Sequence, residues 1–185
     1  MRAVLQRVTR ASVTVNDRIV GSIGPGVCVL VGISQDDTKD DMEYIARKVL
    51  GLRVFDTPSG MWKASVQDAK LEVLCVSQFT LYGKTTKGMK PDFHSAMKSD
   101  TSRQFFDDFV ALLGRLYSAD KIQTGEFGAM MQVALVNDGP VTLQLDSRKF
   151  SYDAKDPEQA AKAEAKLAAK EQRRSKFDKV IPPSA

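Results

Sequence analysis

The sequence predicts an α/β fold, a sheet-rich single domain carrying two main helices. Short β-branched runs recur from the first residues to Asp146. Two segments, after Thr38 and after Thr101, repeat apolar residues at helical spacing. A chain of 185 residues, 43% hydrophobic and 27% charged, is long enough to bury one full core and to carry an appendage.

Met1-Arg2-Ala3-Val4-Leu5-Gln6-Arg7-Val8 alternates and carries charge. It reads as a first strand and lacks the apolar h-region of a signal peptide. Ala11–Val15 and Ile19–Ile23 follow, with Asn16-Asp17 as a hairpin turn between them. Gly21-Ser22-Ile23-Gly24-Pro25-Gly26 fits neither the dinucleotide nor the P-loop pattern and reads as a second hairpin turn. Val27–Ile33 is continuous and β-branched, which suits a strand buried on both faces. Thr38 N-caps a helix that runs to about Leu50, with Gly51 at its end and Met42, Ile45, Val49 and Leu52 on its apolar stripe. Arg53-Val54-Phe55 resumes a strand, Asp56–Gly60 is a turn, and Leu71–Val76 is a central strand. Thr101 with Gln104 forms a capping-box pattern for a second helix to about Tyr117, with Phe105, Phe109, Leu112 and Leu116 facing inward. Phe127–Val136 and Val141–Leu145 are the last strands, and Asn137-Asp138-Gly139-Pro140 is polar enough to be their connection. The domain therefore spans residues 1–150. Residues 151–185 are rich in Ala, Lys and Glu, with Leu167 and Phe177 nearly the only large apolar side chains. A helix with no apolar stripe has little to bury, so an exposed extension, helical or partly disordered, is expected there.

The formal charge is +4, and residues 151–185 hold eight Lys and Arg against six Asp and Glu. This mild basicity permits a nucleic-acid partner without demanding one. Lys84, Lys87, Lys90 and Lys98 cluster with Asp92 as their only acidic neighbour. They read either as solvated loop lysines or as a phosphate-facing loop. Cys28 and Cys75 lie in apolar strand-like runs and read as buried free thiols in a reducing compartment. No run of about 18 apolar residues is present, so no transmembrane helix and a cytoplasmic location are expected.

The chemistry-bearing segments are Ser77-Gln78-Phe79-Thr80-Leu81 and Asn137-Asp138-Gly139-Pro140-Val141-Thr142, each placed where an apolar run ends. Hydroxyls, an amide and a Gly-Pro turn suit a site built from backbone donors and acceptors. The single histidine, His94, cannot make a His-rich metal site, and no Cys pair has ligand spacing. No metal or cofactor is expected. No Gly-x-Ser-x-Gly elbow supports a triad, so His94 reads as a loop or structural residue. Ser77 and Thr80 are nucleophiles in principle, but unassisted hydroxyls are poor ones and no base is sequence-adjacent, and a strand-end hydroxyl is more often a satisfied hydrogen-bonding group. From these residues alone the function stays open.

Residues 1–146 resemble the D-aminoacyl-tRNA deacylases (D-tyrosyl-tRNA deacylases). The resemblance rests on Met1–Val8, Ser77–Leu81, Lys90-Pro91-Asp92-Phe93-His94, Phe127-Gly128-Ala129-Met130-Met131-Gln132-Val133 and Asn137–Thr142, in that order. It implies a mixed, barrel-like sheet and a homodimer that hydrolyses the ester between a D-amino acid and the 3′ end of tRNA. It also implies a pocket shared across the dimer. Ser77, Gln78, Phe79 and Thr80 line one wall, and a cis Gly139-Pro140 turn enters from the partner. Phe127 and Met131 are implied to hold the terminal adenosine, Ala96 to sit at the rim, and Arg7 to brace the turn. Removal of glycine mischarged on tRNA(Ala) is a further implied activity. Two alternatives accompany the resemblance. One is a nucleic-acid-binding protein acting through Lys170, Arg173, Arg174, Lys176 and Lys179. The other is a sister enzyme class that uses a trans Gly-Pro turn to edit L-alanine.

Overall fold

A computed structural model describes residues 1–148, which form one compact unit, Met1–Arg148. The expected Ala/Lys-rich extension at 151–185 lies outside the described residues. No helix among the described residues is long and apolar enough to cross a membrane.

The organising strand is β1 (Arg2–Val15). Its Asn16-Asp17 turn, with both residues at positive φ (48° and 60°), leads into β2 (Arg18–Ile23). That left-handed pair matches strand twist and is what Asn and Asp tolerate. β2 pairs with Ala11–Val15, and β3 (Gly26–Gly32) continues along the same edge against Arg2–Val8. The segment around Gly24-Pro25 is therefore a kink in a chain running one way along β1, not the second hairpin turn that the glycines predict. The glycines answer to other strands. A Cβ on Gly26 would lie 2.0 Å from the Glu72 carbonyl oxygen, and one on Gly21 would lie 2.1 Å from that of Thr124.

Helix α1 (Lys39–Gly51) begins at Thr38, whose N–H donates to the Asp41 carboxylate at 2.9 Å. Met42, Ile45 and Val49 are buried as the spacing predicts. A short hairpin follows, β4 (Phe55–Thr57) with β5 (Gly60–Ala64), and then β6 (Glu72–Ser77) parallel to β3. Helix α2 (Ser99–Leu116) starts two residues before Thr101, so Gln104 makes no capping box and bonds Asp108 at 3.0 Å instead. Its inward stripe is Phe106, Phe109 and Leu113, while Phe105 and Leu112 flank it and Leu116 is exposed. Apolar neighbours at 105/106 and 112/113 fit helical spacing in either phase, and packing on the sheet selects the later one. β7 (Ile122–Thr124) extends the sheet parallel to β6. The last strand, β8 (Gln132–Asp146), is one element antiparallel to β1. The expected break at 137–140 lies inside it, and Phe127–Met131, expected to be strand, is loop.

The sheet is mixed, with β1 bonded to β2 and β3 on one edge and β8 on the other. Its two faces carry separate cores. Val27, Val29, Val31, Val73 and Cys75 face the helices, while Cys28, Leu74 and Val76 meet Val8, Ala11, Val13 and Val15 of the curled β1. The sheet thus folds back over itself, and β3 and β6 are buried on both faces. Both cysteines are free and buried. Burial pushes Cys28 up to about 11 and Cys75 up as well, so neither is a thiolate at neutral pH.

The Met1 ammonium is buried against the Asp37 carboxylate and lies 2.6 Å from Ser147 Oγ, tying the start of β1 to the end of β8. Asp41 stands 4.0 Å from the same ammonium. Burial raises the Asp41 carboxyl, but hydrogen bonds from Ser147 and Thr38, with the ammonium, outweigh it and hold it at about 2, below the ordinary 3.8. A depressed folded value stabilises above 3.8, and that stability is lost as pH falls towards about 2. Asp41→Asn is expected to lower stability at neutral pH and to flatten its loss in this acid window, read from urea melts at stepped pH. An unchanged acid limb would show that Asp41 is not held low.

Candidate active site

β6 ends at Ser77, and the Gln78 N–H donates to the Val31 carbonyl at 2.7 Å, the last rung to β3. The chain then tightens into a 3₁₀ turn, Phe79–Tyr82. Gly32 lets this turn lie on β3, because a Cβ there would stand 2.9 Å from Leu81 Cβ and 3.0 Å from the Gln78 carbonyl oxygen. The first N–H groups of a helical turn, here those of Phe79 and Thr80, have no carbonyl partner within it. The Thr80 hydroxyl accepts from Gln78 Nε2.

Beyond the turn, Lys84 and Asp92 form a backbone bridge that closes the lysine-bearing loop. Asp92 accepts from the His94 N–H at 2.9 Å and from His94 Nδ1, while Lys84 Nζ lies 3.3 Å from Nε2. These His94 hydrogen bonds hold the Asp92 carboxyl below its ordinary value. His94 thus fastens a loop, and no hydroxyl bonds to it among the described residues. Phe93 packs edge-on against Phe79, ring centres 5.0 Å apart, and brings Ala96 beside the turn.

The facing wall is the loop between β7 and β8. Gly125 N–H bonds the Cys75 carbonyl at 3.1 Å, and a turn at Glu126–Ala129 presents Phe127. Arg103 of α2 holds that residue twice, donating to its carbonyl at 3.1 Å and lying 5.0 Å from its ring centre. Between the walls is a cleft of about 580 Å³. Ser77, Gln78, Phe79, Ala96, Phe127 and Met131 line it together, joined by Val31, Ile33, Phe93, Met97, Ser99 and Ser102. The lining is apolar with a few hydroxyls and amides, and contains no carboxylate or imidazole. It suits holding an aromatic or ester group and stabilising charge with backbone donors.

Thr80, Gly139, Pro140 and Arg7 do not line this cleft. Between the pairs Gln6↔Thr142 and Val8↔Asn137, residues 138–141 of β8 stand opposite Arg7 alone, a large bulge, and a smaller register shift follows between Val8 and Arg10. Arg7 fills the gap. Its Nε bonds the Asp138 carbonyl at 3.2 Å and the Asp138 carboxylate at 3.1 Å, and its Nη1 bonds the Val54 carbonyl. Gly139 has φ +112°, and a Cβ there would stand 2.9 Å from Val141 Cγ2 and 3.0 Å from Arg7 Nη2. The Gly139-Pro140 peptide is cis, and both residues are exposed.

Sequence reasoning did not single out Phe93, Met97, Ser102 or Arg103. The apolar residue within Pro91-Asp92-Phe93-His94 was a usable signal for Phe93. Arg103 carried none, since a lone arginine on a helix is ordinarily a solvated charge.

Residues 4–146 match the family described as D-Tyr-tRNA(Tyr) deacylase. The chain is 54% identical over 147 residues to a D-aminoacyl-tRNA deacylase of Drosophila melanogaster, covering 80% of this chain and 92% of that one. It is 49% identical over 177 residues to D-aminoacyl-tRNA deacylase 1 of Bos taurus, covering 95% and 84% respectively. The solved structure of a c-Myc DNA Unwinding Element Binding Protein superposes with TM-score 0.76 at 51% identity, covering 79% of this chain and 98% of that one.

Replacing Arg7 with Ala leaves the Val54 and Asp138 carbonyls without their donor. A loss of about 1–3 kcal/mol in denaturant melts is expected. A melt unchanged from the parent would show that the bulge holds its shape without the guanidinium.

Proposed function

The chain belongs to the D-aminoacyl-tRNA deacylase family, and we propose that it hydrolyses the ester of D-aminoacyl-tRNA in the cleft at the end of β6, releasing free D-amino acid and tRNA. One observation carries the placement. Ser77, Gln78 and Phe79 meet Ala96, Phe127 and Met131 in a single cleft of a chain from this family.

The cleft lacks the Gly139-Pro140 turn, which is exposed on the same chain's β8. The outer edge of β8 has no strand partner among the described residues, and Val133 and Val136 on it are exposed. An unpaired edge with apolar side chains is suited to pairing with another copy. In the proposed homodimer, each protomer's turn enters the other's cleft. The Gly139 and Pro140 carbonyls then accept hydrogen bonds from the substrate's α-ammonium and fix its orientation. A D side chain points out of the cleft, whereas an L side chain meets the turn. Glycine has no side chain to reject, so glycyl-tRNA is a secondary substrate. Phe127 and Met131 flank the terminal adenosine, and Ala96 lies at the rim. The N–H groups of Phe79 and Thr80 stabilise the developing oxyanion. Water attacks with the ribose 2′-OH assisting. The Thr80 hydroxyl already accepts a hydrogen bond and, among the described residues, has no base on it. The reaction takes place in the cytoplasm, with no metal or cofactor.

The direct test compares D-tyrosyl-tRNA with L-tyrosyl-tRNA at catalytic enzyme concentration. The D ester is expected to be lost faster by on the order of 100-fold or more. Gly139→Ala, forced against Val141 and Arg7, is expected to cut the D rate by roughly tenfold or more. Thr80→Ala is expected to keep most single-turnover activity, and a loss on the order of 1000-fold would make Thr80 the nucleophile instead. Hydrolysis of neither ester by a folded protein would sink the proposal.

A second reading is DNA binding. The name of the structurally similar DNA Unwinding Element Binding Protein, which matches 79% of this chain, suggests it, and the basic residues between Lys170 and Lys179 would supply the charge. Deleting residues 151–185 separates the two. Deacylation is expected to persist, with any DNA retention in gel shift lost. Loss of deacylation on deletion would place the extension in the enzyme's own machinery.

A further inference from the structure

Phe127 borders two hollows. The second, about 310 Å³, is lined by Arg103, Phe106, Asp107, Val110, Thr124 and Gly125 in addition to Phe127 itself. Nothing in the proposed hydrolysis uses it. Among the described residues no carboxylate pairs with Arg103. Its bond to the Phe127 carbonyl occupies one of five guanidinium N–H groups, and the residue is exposed. Asp107, one helical turn on, is exposed as well.

A hollow that shares one aromatic wall with the cleft, with a guanidinium over that wall and a carboxylate beyond it, has the chemistry of a nucleotide subsite. A guanidinium meets phosphate with two parallel bonds. A carboxylate accepts from the exocyclic amine of cytosine. Uracil carries a carbonyl at that position and would set acceptor against acceptor. Every tRNA ends in the same CCA, so the nucleotide before the terminal adenosine is always cytidine.

We infer that this hollow takes the penultimate cytidine of the tRNA, with Arg103 on the phosphate joining it to the terminal adenosine and Asp107 on the cytosine amine. The inference rests on the proposal that Phe127 borders the adenosine. Arg103 then serves twice, positioning Phe127 and holding the adjoining phosphate. Asp107 discriminates between bases without touching the reacting ester.

The experiment uses the full chain and chemically D-aminoacylated tRNA transcripts ending in CCA or CUA. Wild-type kcat/KM is expected to favour CCA by about tenfold, the worth of one good base contact. Asp107→Ala is expected to bring that ratio close to one, chiefly by weakening the CCA substrate, with its melt unchanged. Arg103→Ala is expected to raise KM for both transcripts more than it lowers kcat. Equal wild-type rates on the two ends, or a preference that survives Asp107→Ala, would overturn the subsite while leaving the deacylase standing. Hydrolysis of neither transcript would instead sink the activity on which the subsite depends.

Discussion

The structure depends on β1 being paired along both edges. β2 and β3 occupy one edge in succession and β8 the other, so a fourteen-residue strand is hydrogen-bonded nearly from end to end. Such a ladder allows little variation, and of the places where it yields, the largest is opposite Arg7. There the extra residues of β8 are expelled as a bulge, and the arginine satisfies the Asp138 carbonyl that the ladder leaves open while also bonding the Val54 carbonyl outside it. The position of the Gly139-Pro140 turn is thus a consequence of register. Among the described residues, the same pairing leaves the outer edge of β8 without a strand partner next to that turn.

The opposite end of the site is set by parallel pairing. β3, β6 and β7 run together, so the chain leaves β6 and β7 on the same side of the sheet. The 3₁₀ turn follows one strand and the Phe127 loop the other, and the cleft is the space between the two exits. Ligands in α/β sheets commonly sit beyond the carboxyl ends of parallel strands. Here the parallel part has only three strands, which suffices because Gly32 and Gly125 let the two exit segments lie close to neighbouring groups.

Much of this was legible in the sequence, for local reasons. The Asn16-Asp17 turn, the β-branched run of β3 and the stripe of α1 each follow from residue chemistry at short range. What was not legible depends on long-range pairing. Gly21 and Gly26 look like turn residues, yet they are glycines because the Thr124 and Glu72 carbonyl oxygens pass 2.1 and 2.0 Å from where a Cβ would be. Asn137–Pro140 looks like a connection because a bulge and a loop use the same residues, and only the partner strand tells them apart. The phase of α2 was ambiguous by one residue until the sheet chose Phe106 over Phe105. At the site, Ser77, Gln78 and Phe79 were legible as a strand end with few catalytic alternatives. Arg103 was not, because its role consists of a contact with a residue 24 positions away.

A cleft lined by backbone, hydroxyls and aromatic rings has a chemical consequence. Among the described residues no titrating pair lines it, so the proposed hydrolysis draws its selectivity from shape and orientation. An aminoacyl ester is already more reactive than an amide, and orientation with a few preorganised donors supplies what the step requires. On the proposed cross-subunit arrangement, the groups that recognise chirality are main-chain carbonyls carried by a bulge. Side-chain substitution cannot remove them, and it reaches them only by moving the bulge. Arg7 and Gly139 are the two handles on that bulge, one by bonding it and the other by leaving room for it. Because the turn is displayed on one chain and the cleft lies elsewhere on it, a lone protomer would bind the ester without judging its handedness. Assembly would then be part of the selectivity itself, and weakening the β8 edge would relax discrimination before it abolished hydrolysis.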